Sequence, residues 1–322
     1  MDRKIQIRRY SNEAQTEWNN FIKSAKNSLF MFDRNYMEYH SDRFEDCSLL
    51  FYDEDELVAV FPANLHHNIL VSHGGLTYGG MITGNGMRQA VMLDCFSAIL
   101  KYCEDRDIEK IQYKTVPSIY HKQPAEEDTY ALYYFGGVID KIEASTVINL
   151  DNPLRITRLR KRRINKALKS DIVIGPDNSQ DAYIRFMEVQ NRVLNEYHGV
   201  NAVHTGEEMY LLYSRFPENI QLYTARLNGE ILGGSIIFIY DNVLHTQYLC
   251  ANEKARDMGA LDAVIAYVID IYKGQKRWLD FGISTEHSGH YLNEGLISQK
   301  EGFGGRTNVY RTWSINIGGD RK

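Results

Sequence analysis

Cysteine is scarce: Cys47, Cys95, Cys103 and Cys250 are the only four in 322 residues, and none forms a CxxC pair. That speaks against a disulfide framework or a zinc knuckle and fits a reducing cytosol. No apolar run approaches the roughly 18 residues needed to span a bilayer, so no transmembrane segment is expected. The N-terminal stretch, Met1 to Arg9, lacks the apolar core of a secretory signal. No Gly-Lys-Ser/Thr follows a glycine-rich turn, which removes a Walker loop, and no Gly-x-Ser-x-Gly appears, which removes the commonest hydrolase signal. His66, His67 and His73 share no metal-ligand spacing, so no metal site is expected. Positive charge is in deficit overall. The formal net charge of −5 argues against nucleic-acid binding by the whole molecule and leaves room for a local basic site.

The chain length suggests two domains or one large one. A hydrophobic share of 43% and a charged share of 25% place it among ordinary globular proteins. In the first half, residues 5–10 alternate as a strand, and Ser11 or Asn12 can cap a helix burying Trp18, Phe21 and Ile22. Two apolar runs, 48–52 and 57–61, flank the acidic turn 53–56 as a hairpin. A strand at 69–72 leads into a glycine-rich run, 73–86. This run is either a plain connection or backbone passing close to a substrate, with His73 and Tyr78 able to reach it. A long helix over 87–105 and a strand at 109–115 follow.

The second half repeats this order. A helix spans 179–194, and strands at 220–226 and 231–239 flank Asn228-Gly229, a strong hairpin signal. Then come a strand at 243–250, a polar loop at 251–260, an apolar helix at 261–272 and a strand at 277–284. The pattern occurs twice, which indicates duplication of one α/β unit, with a boundary near 145–153. The expected domains are 1–148 and 149–322.

Two stretches of the second half carry chemistry. The strand–loop–helix–strand unit from 243 to 284 is a parallel crossover whose first loop aims a helix N-terminus at one end of the sheet. Free N–H groups and the helix dipole favour an anion there, and Arg256 and Gly259 lie in that loop. The stretch from Arg155 to Lys169 carries eight basic residues and no acid, with Ile156, Leu159, Ile164, Ala167 and Leu168 near one helical face. It reads as a solvated face, a phosphate-binding face, or a membrane-surface contact that the absence of Trp and Phe weakens.

These pieces together resemble the tandem acetyltransferase-fold (GNAT) proteins related to the FemAB peptidyltransferases. The matching residues are the basic run 162–169, Trp278-Leu-Asp-Phe-Gly282, Lys300-Glu-Gly-Phe-Gly304 and the glycine-rich 73–80, in that family's order over nearly the whole chain. The resemblance implies an α/β fold of two tandem GNAT-like domains. It also implies an acyltransferase that moves an acyl or aminoacyl group onto an amine of a sugar or peptide acceptor, in cell-envelope synthesis. The donor would be acyl-CoA or aminoacyl-tRNA, and the acceptor a small molecule or one attached to a nucleotide or lipid diphosphate.

By the same resemblance, Lys300 would stand beside the reacting carbonyl, at a site between the domains, and stabilise an oxyanion. Arg160, Arg162 and Arg163 would hold phosphate. Arg256, Gly259 and Ala260 would contact the CoA pyrophosphate, although Leu261 stands where the loop pattern Arg/Gln-x-x-Gly-x-Gly/Ala wants a small residue. The segment 183–213 is too short for the helical arm that some of these aminoacyltransferases carry. Glu286, His287 and His290, past a strand end, are candidate bases for the amine or members of a polar loop tip. The competing expectation is a non-catalytic binder of phosphorylated or RNA ligands on the same fold.

Overall fold

The computed structural model describes residues 4–318, apart from the side chain of His198. The start of the N-terminal stretch read above for a signal, 1–3, and the end of the second expected domain, 319–322, lie outside the described residues. The chain divides into two compact units, 1–143 with 309–322, and 144–308.

In the first unit, Ile5–Arg9 pairs antiparallel with Leu49–Asp53, and that strand forms the hairpin with Glu56–Phe61. The helix Gln15–Ser24 buries Trp18 and Ile22. The long helix Gln89–Glu104 buries an apolar face of Val91, Phe96, Ile99, Leu100 and Cys103 against the sheet. Lys110–Lys114 runs parallel to Ile69–Val71 and antiparallel to Thr312–Asn316 at the end of the chain.

The second unit repeats the order. Val173–Pro176 pairs with Ile220–Leu227, which turns through Asn228-Gly229 into Glu230–Ile239. Both turn residues have positive φ, 52° and 84°, which is why Asn-Gly stands there. Val243–Ala251 follows antiparallel. The helix Ala260–Tyr272 then packs Val264, Ile265 and Val268 into the core and leads to Trp278–Ile283. That strand runs parallel to Val243–Ala251 and antiparallel to residues 145–149.

The expected polar loop at 251–260 is partly helical, and a further short helix precedes the Lys300 motif. Residues 253–258 form a short helix capped by the Asn252 side chain, and 294–301 form another capped by Asn293. Both carry a short polar cap residue that accepts an N–H from the first turn, a signal readable in the sequence. Among the described residues no helix is long and apolar enough to cross a membrane.

Candidate functional site

The parallel pairing of Val243–Ala251 with Trp278–Ile283 covers only three positions and stops at His245 opposite Asp280, although both strands continue. Beyond that pair the strands part. On one side a bulge leaves Gln247 without an opposite residue. On the other, positive φ at Gly282 (72°) turns the chain away. The ends of parallel strands at such a split are where α/β sheets accept ligands.

Several polar groups converge there. Asp280 is fully buried. Its carboxylate accepts the Ser145 hydroxyl and, at 2.8 Å, the Gly282 N–H. The other oxygen lies 3.9 Å from His245 Nδ1, and His245 is itself buried. Lys300, in the last turn of the helix Glu294–Glu301, is 5% exposed. Its ammonium donates to the carbonyls of Gly282 (2.9 Å) and Ile283 (2.7 Å). Burial lowers its pKa from the usual lysine value to about 8, against the pull of the Asp280 charge. Gly282 therefore links the cation and the carboxylate, through its carbonyl and its N–H respectively. Thr246 Oγ1, Gln247 Oε1 and Ser284 Oγ are buried without a protein partner, and each can bond a polar ligand.

The Lys-Glu-Gly-Phe-Gly motif has a packing reason as well. The Thr157 N–H donates to Gly302 O at 2.9 Å, and the Arg160 guanidinium lies 5.8 Å from the centre of the Phe303 ring. The motif thus seats the start of the basic helix, Arg158–Leu168, and fixes the helix that carries Lys300.

The expected anion seat at the N-terminus of Ala260–Tyr272 is filled by the chain itself. Asp262, in the first turn, is buried and accepts from Arg160 Nη1 at 2.7 Å and from its own N–H. Arg163 Nη1 stands 4.0 Å from its other oxygen. Burial pushes the Asp262 carboxyl up, and the two guanidinium groups pull it down. Gly259 has φ of +77° and its Cα faces the Arg163 carbonyl so closely that a Cβ would collide with it. The glycine admits the basic helix rather than a ligand. Leu261 packs against the core, and Arg256 donates to Tyr197 Oη at 2.6 Å with its guanidinium over the ring. A diphosphate does not fit this turn: a buried carboxylate and a packed backbone occupy its place.

The remaining expected residues are spread out. Arg160 is an internal ion-pair partner, whereas Arg162 is exposed. Tyr78 is buried, with its hydroxyl 2.8 Å from those of Tyr120 and Tyr310 in a hydrogen-bonded trio, and His73 is buried in a tight turn that holds it neutral, its pKa lowered by desolvation to about 3. Glu286 accepts from Asn293 Nδ2 at 2.9 Å in a two-stranded turn, where it and His287 are exposed. The groups the structure gathers around Lys300 are His245, Asp280 and Ser145, which the sequence reading missed. An aspartate inside an otherwise apolar strand, Trp278–Ile283, was the available signal.

Residues 156–291 match a family described as an acetyltransferase (GNAT) domain. The chain has a GNAT, FemAB-like fold. FemX is similar over 95% of this chain and 96% of its own, at 10% identity and a TM-score of 0.66. L-PGS from Bacillus licheniformis is similar over 96% and 93%, at 13% identity and a TM-score of 0.63. A tandem GNAT protein from the clavulanic acid biosynthesis pathway is similar over 98% and 100%, at 10% identity and a TM-score of 0.54. A comparison with curated proteins found no match. In each case the likeness of fold extends over nearly the whole of both chains.

Proposed function

We propose that this GNAT-fold chain is an acyltransferase that moves an acyl or aminoacyl group onto an amine, at the split between Val243–Ala251 and Trp278–Ile283. The observation that carries this is the buried Lys300 ammonium at the end of the second strand. Two of its protons go to backbone carbonyls, and the third is available to an oxygen that gains charge as the amine attacks a carbonyl. His245, backed by the Asp280 carboxylate, is the proton acceptor for the amine. The amine forms the new C–N bond, the bond to the donor's leaving group breaks, and the amine proton passes to His245 and on to that leaving group. The Ser145 hydroxyl and the Gly282 N–H hold Asp280 in place.

The acceptor in this reading is an amino-sugar or peptide amine in cell-envelope synthesis, a reading supported by the likeness to FemX. For the donor, the Arg256–Ala260 turn supplies no diphosphate seat, so an acyl-CoA would have to be held by other residues. Aminoacyl-tRNA is the donor that this geometry leaves less encumbered. The test is mass-spectrometric detection of acylated amine with each donor and a panel of nucleotide- and lipid-linked amino-sugars. Product from the parent chain and none from Lys300→Ala supports the reading; equal turnover by both removes Lys300 from the chemistry. The filled seat also favours a second reading, a binder of phosphorylated ligands without catalysis. Tight ligand binding with no product from any donor would select it.

A further inference from the structure

The basic helix Arg158–Leu168 divides its charges into two sets. Arg160 and Ala167 face inward, with Arg163 at the border, close to Asp262. Arg155, Arg158, Lys161, Arg162, Lys166 and Lys169 are exposed, and none has an acidic partner among the described residues. At about 100° per residue, Arg158, Arg162, Lys166 and Lys169 share a sector roughly 80° wide on the face opposite Arg160. In a chain of net charge −5, this is a concentrated cationic strip about 16 Å long.

The strip is edged with aliphatic side chains. Leu159 (49% exposed) flanks the cationic sector on one side and Leu168 (68%) on the other. Leu154 (47%) lies just before the helix and Val173 (68%) just after it. None of the four belongs to the apolar cluster around the helix Ala260–Tyr272. Exposed aliphatic residues interleaved with unpaired cations are the composition of a surface that meets phosphates and hydrocarbon together.

We infer that this face docks on the surface of an anionic lipid bilayer, with the cations at the phosphate level and the leucines entering the headgroup boundary. A polynucleotide fits less well. Residues 151–176 contain no aromatic side chain to stack on a base, and exposed leucines gain nothing from a sugar–phosphate backbone. Phe and Trp are absent too, so the docking is shallow and depends on charge. The inference goes beyond the acyltransferase reading and stands without it, since binding is read without turnover.

The experiment is co-sedimentation of the full chain with vesicles of phosphatidylcholine containing about one third phosphatidylglycerol, and with phosphatidylcholine alone, at about 0.1 M salt. The expected result is binding to the anionic vesicles only. Neutralising Arg158, Arg162 and Lys166 together to Gln is expected to lower the partition coefficient on the order of 100-fold, at about one kilocalorie per cation. Leu159→Ser with Leu168→Ser is expected to weaken it as well, while Arg192→Gln, an exposed change on the helix Gln180–His198, leaves it unchanged. No sedimentation with anionic vesicles overturns the inference. So does a leucine double variant that binds like the parent while bulk tRNA displaces the vesicles, because that pattern assigns the strip to RNA. Failure of every acyl donor would sink the acyltransferase reading and leave this result standing.

Discussion

Arg160 reaches from the basic helix to Asp262 in the first turn of the central helix, Nη1 to Oδ1 at 2.7 Å, with both side chains buried. The pair neutralises a carboxylate placed where the helix dipole and free N–H groups would otherwise draw an anion. It ties two helices together and decides what the turn before the central helix cannot hold.

Removing one partner strands the other. Arg160→Met is expected to destabilise the chain by about 3–5 kcal/mol, as for other buried pairs broken on one side. Arg160→Met with Asp262→Leu should recover most of that loss. Urea unfolding of the three proteins checks it; equal stability of single and double variants would mean that the pair matters little.

Gly259 makes the same closure steric. Gly259→Ala puts a Cβ into the Arg163 carbonyl and a side chain on a residue at φ +77°. The expected cost is about 2 kcal/mol or more, beyond the roughly 1–2 kcal/mol of the left-handed backbone alone. A loss below that range in a thermal or urea melt would show that the basic helix yields easily.

Acetyl-CoA at millimolar concentration is expected not to raise the unfolding temperature. A ligand present at about 100 times its dissociation constant would add roughly 2.7 kcal/mol, a visible shift. A clear shift would show a CoA site, and amide resonances of residues 259–263 would tell whether it is this turn.

Lys300→Ala is expected to lower kcat/KM by about 10²–10³-fold, the usual cost of one oxyanion donor. Only the ammonium can donate and carry charge, so turnover by the parent should fall as pH rises through about 8, the lowered pKa of Lys300. Stability runs the other way. Between about 8 and the ordinary lysine value the unfolded chain binds more protons than the folded one, so this residue makes the fold more stable as pH climbs through that window. A flat rate profile across pH 7–9 would separate Lys300 from the chemistry.

His245→Gln is expected to cost about 10²–10⁴-fold in kcat/KM. Asp280→Asn should lower kcat/KM as well while keeping the fold, because Asn can still accept from Ser145 and Gly282. If both variants keep the parent's kcat/KM, the proton leaves the amine by another route.

The alternation of apolar residues, the Asn228-Gly229 turn and the repeated order of elements made the two-unit α/β architecture legible from sequence, because each is local chemistry with a fixed period or spacing. The basic run was equally plain, but the sequence grouped Arg160 with Arg162 and Arg163 as holders of phosphate. Which cation pairs inward was not legible, since Asp262 lies 102 positions from Arg160 along the chain. His245, Asp280 and Ser145 come from three separate strands, and nothing in the order of residues brings them together. Lys300 was visible in a glycine-rich motif, yet its burial and its lowered pKa follow from a helix docked beneath the end of another strand. Sequence determined the elements and their order through local preference and periodicity. Tertiary packing alone decided which polar groups share a desolvated site, because burial and long-range pairing set their charge and their partners.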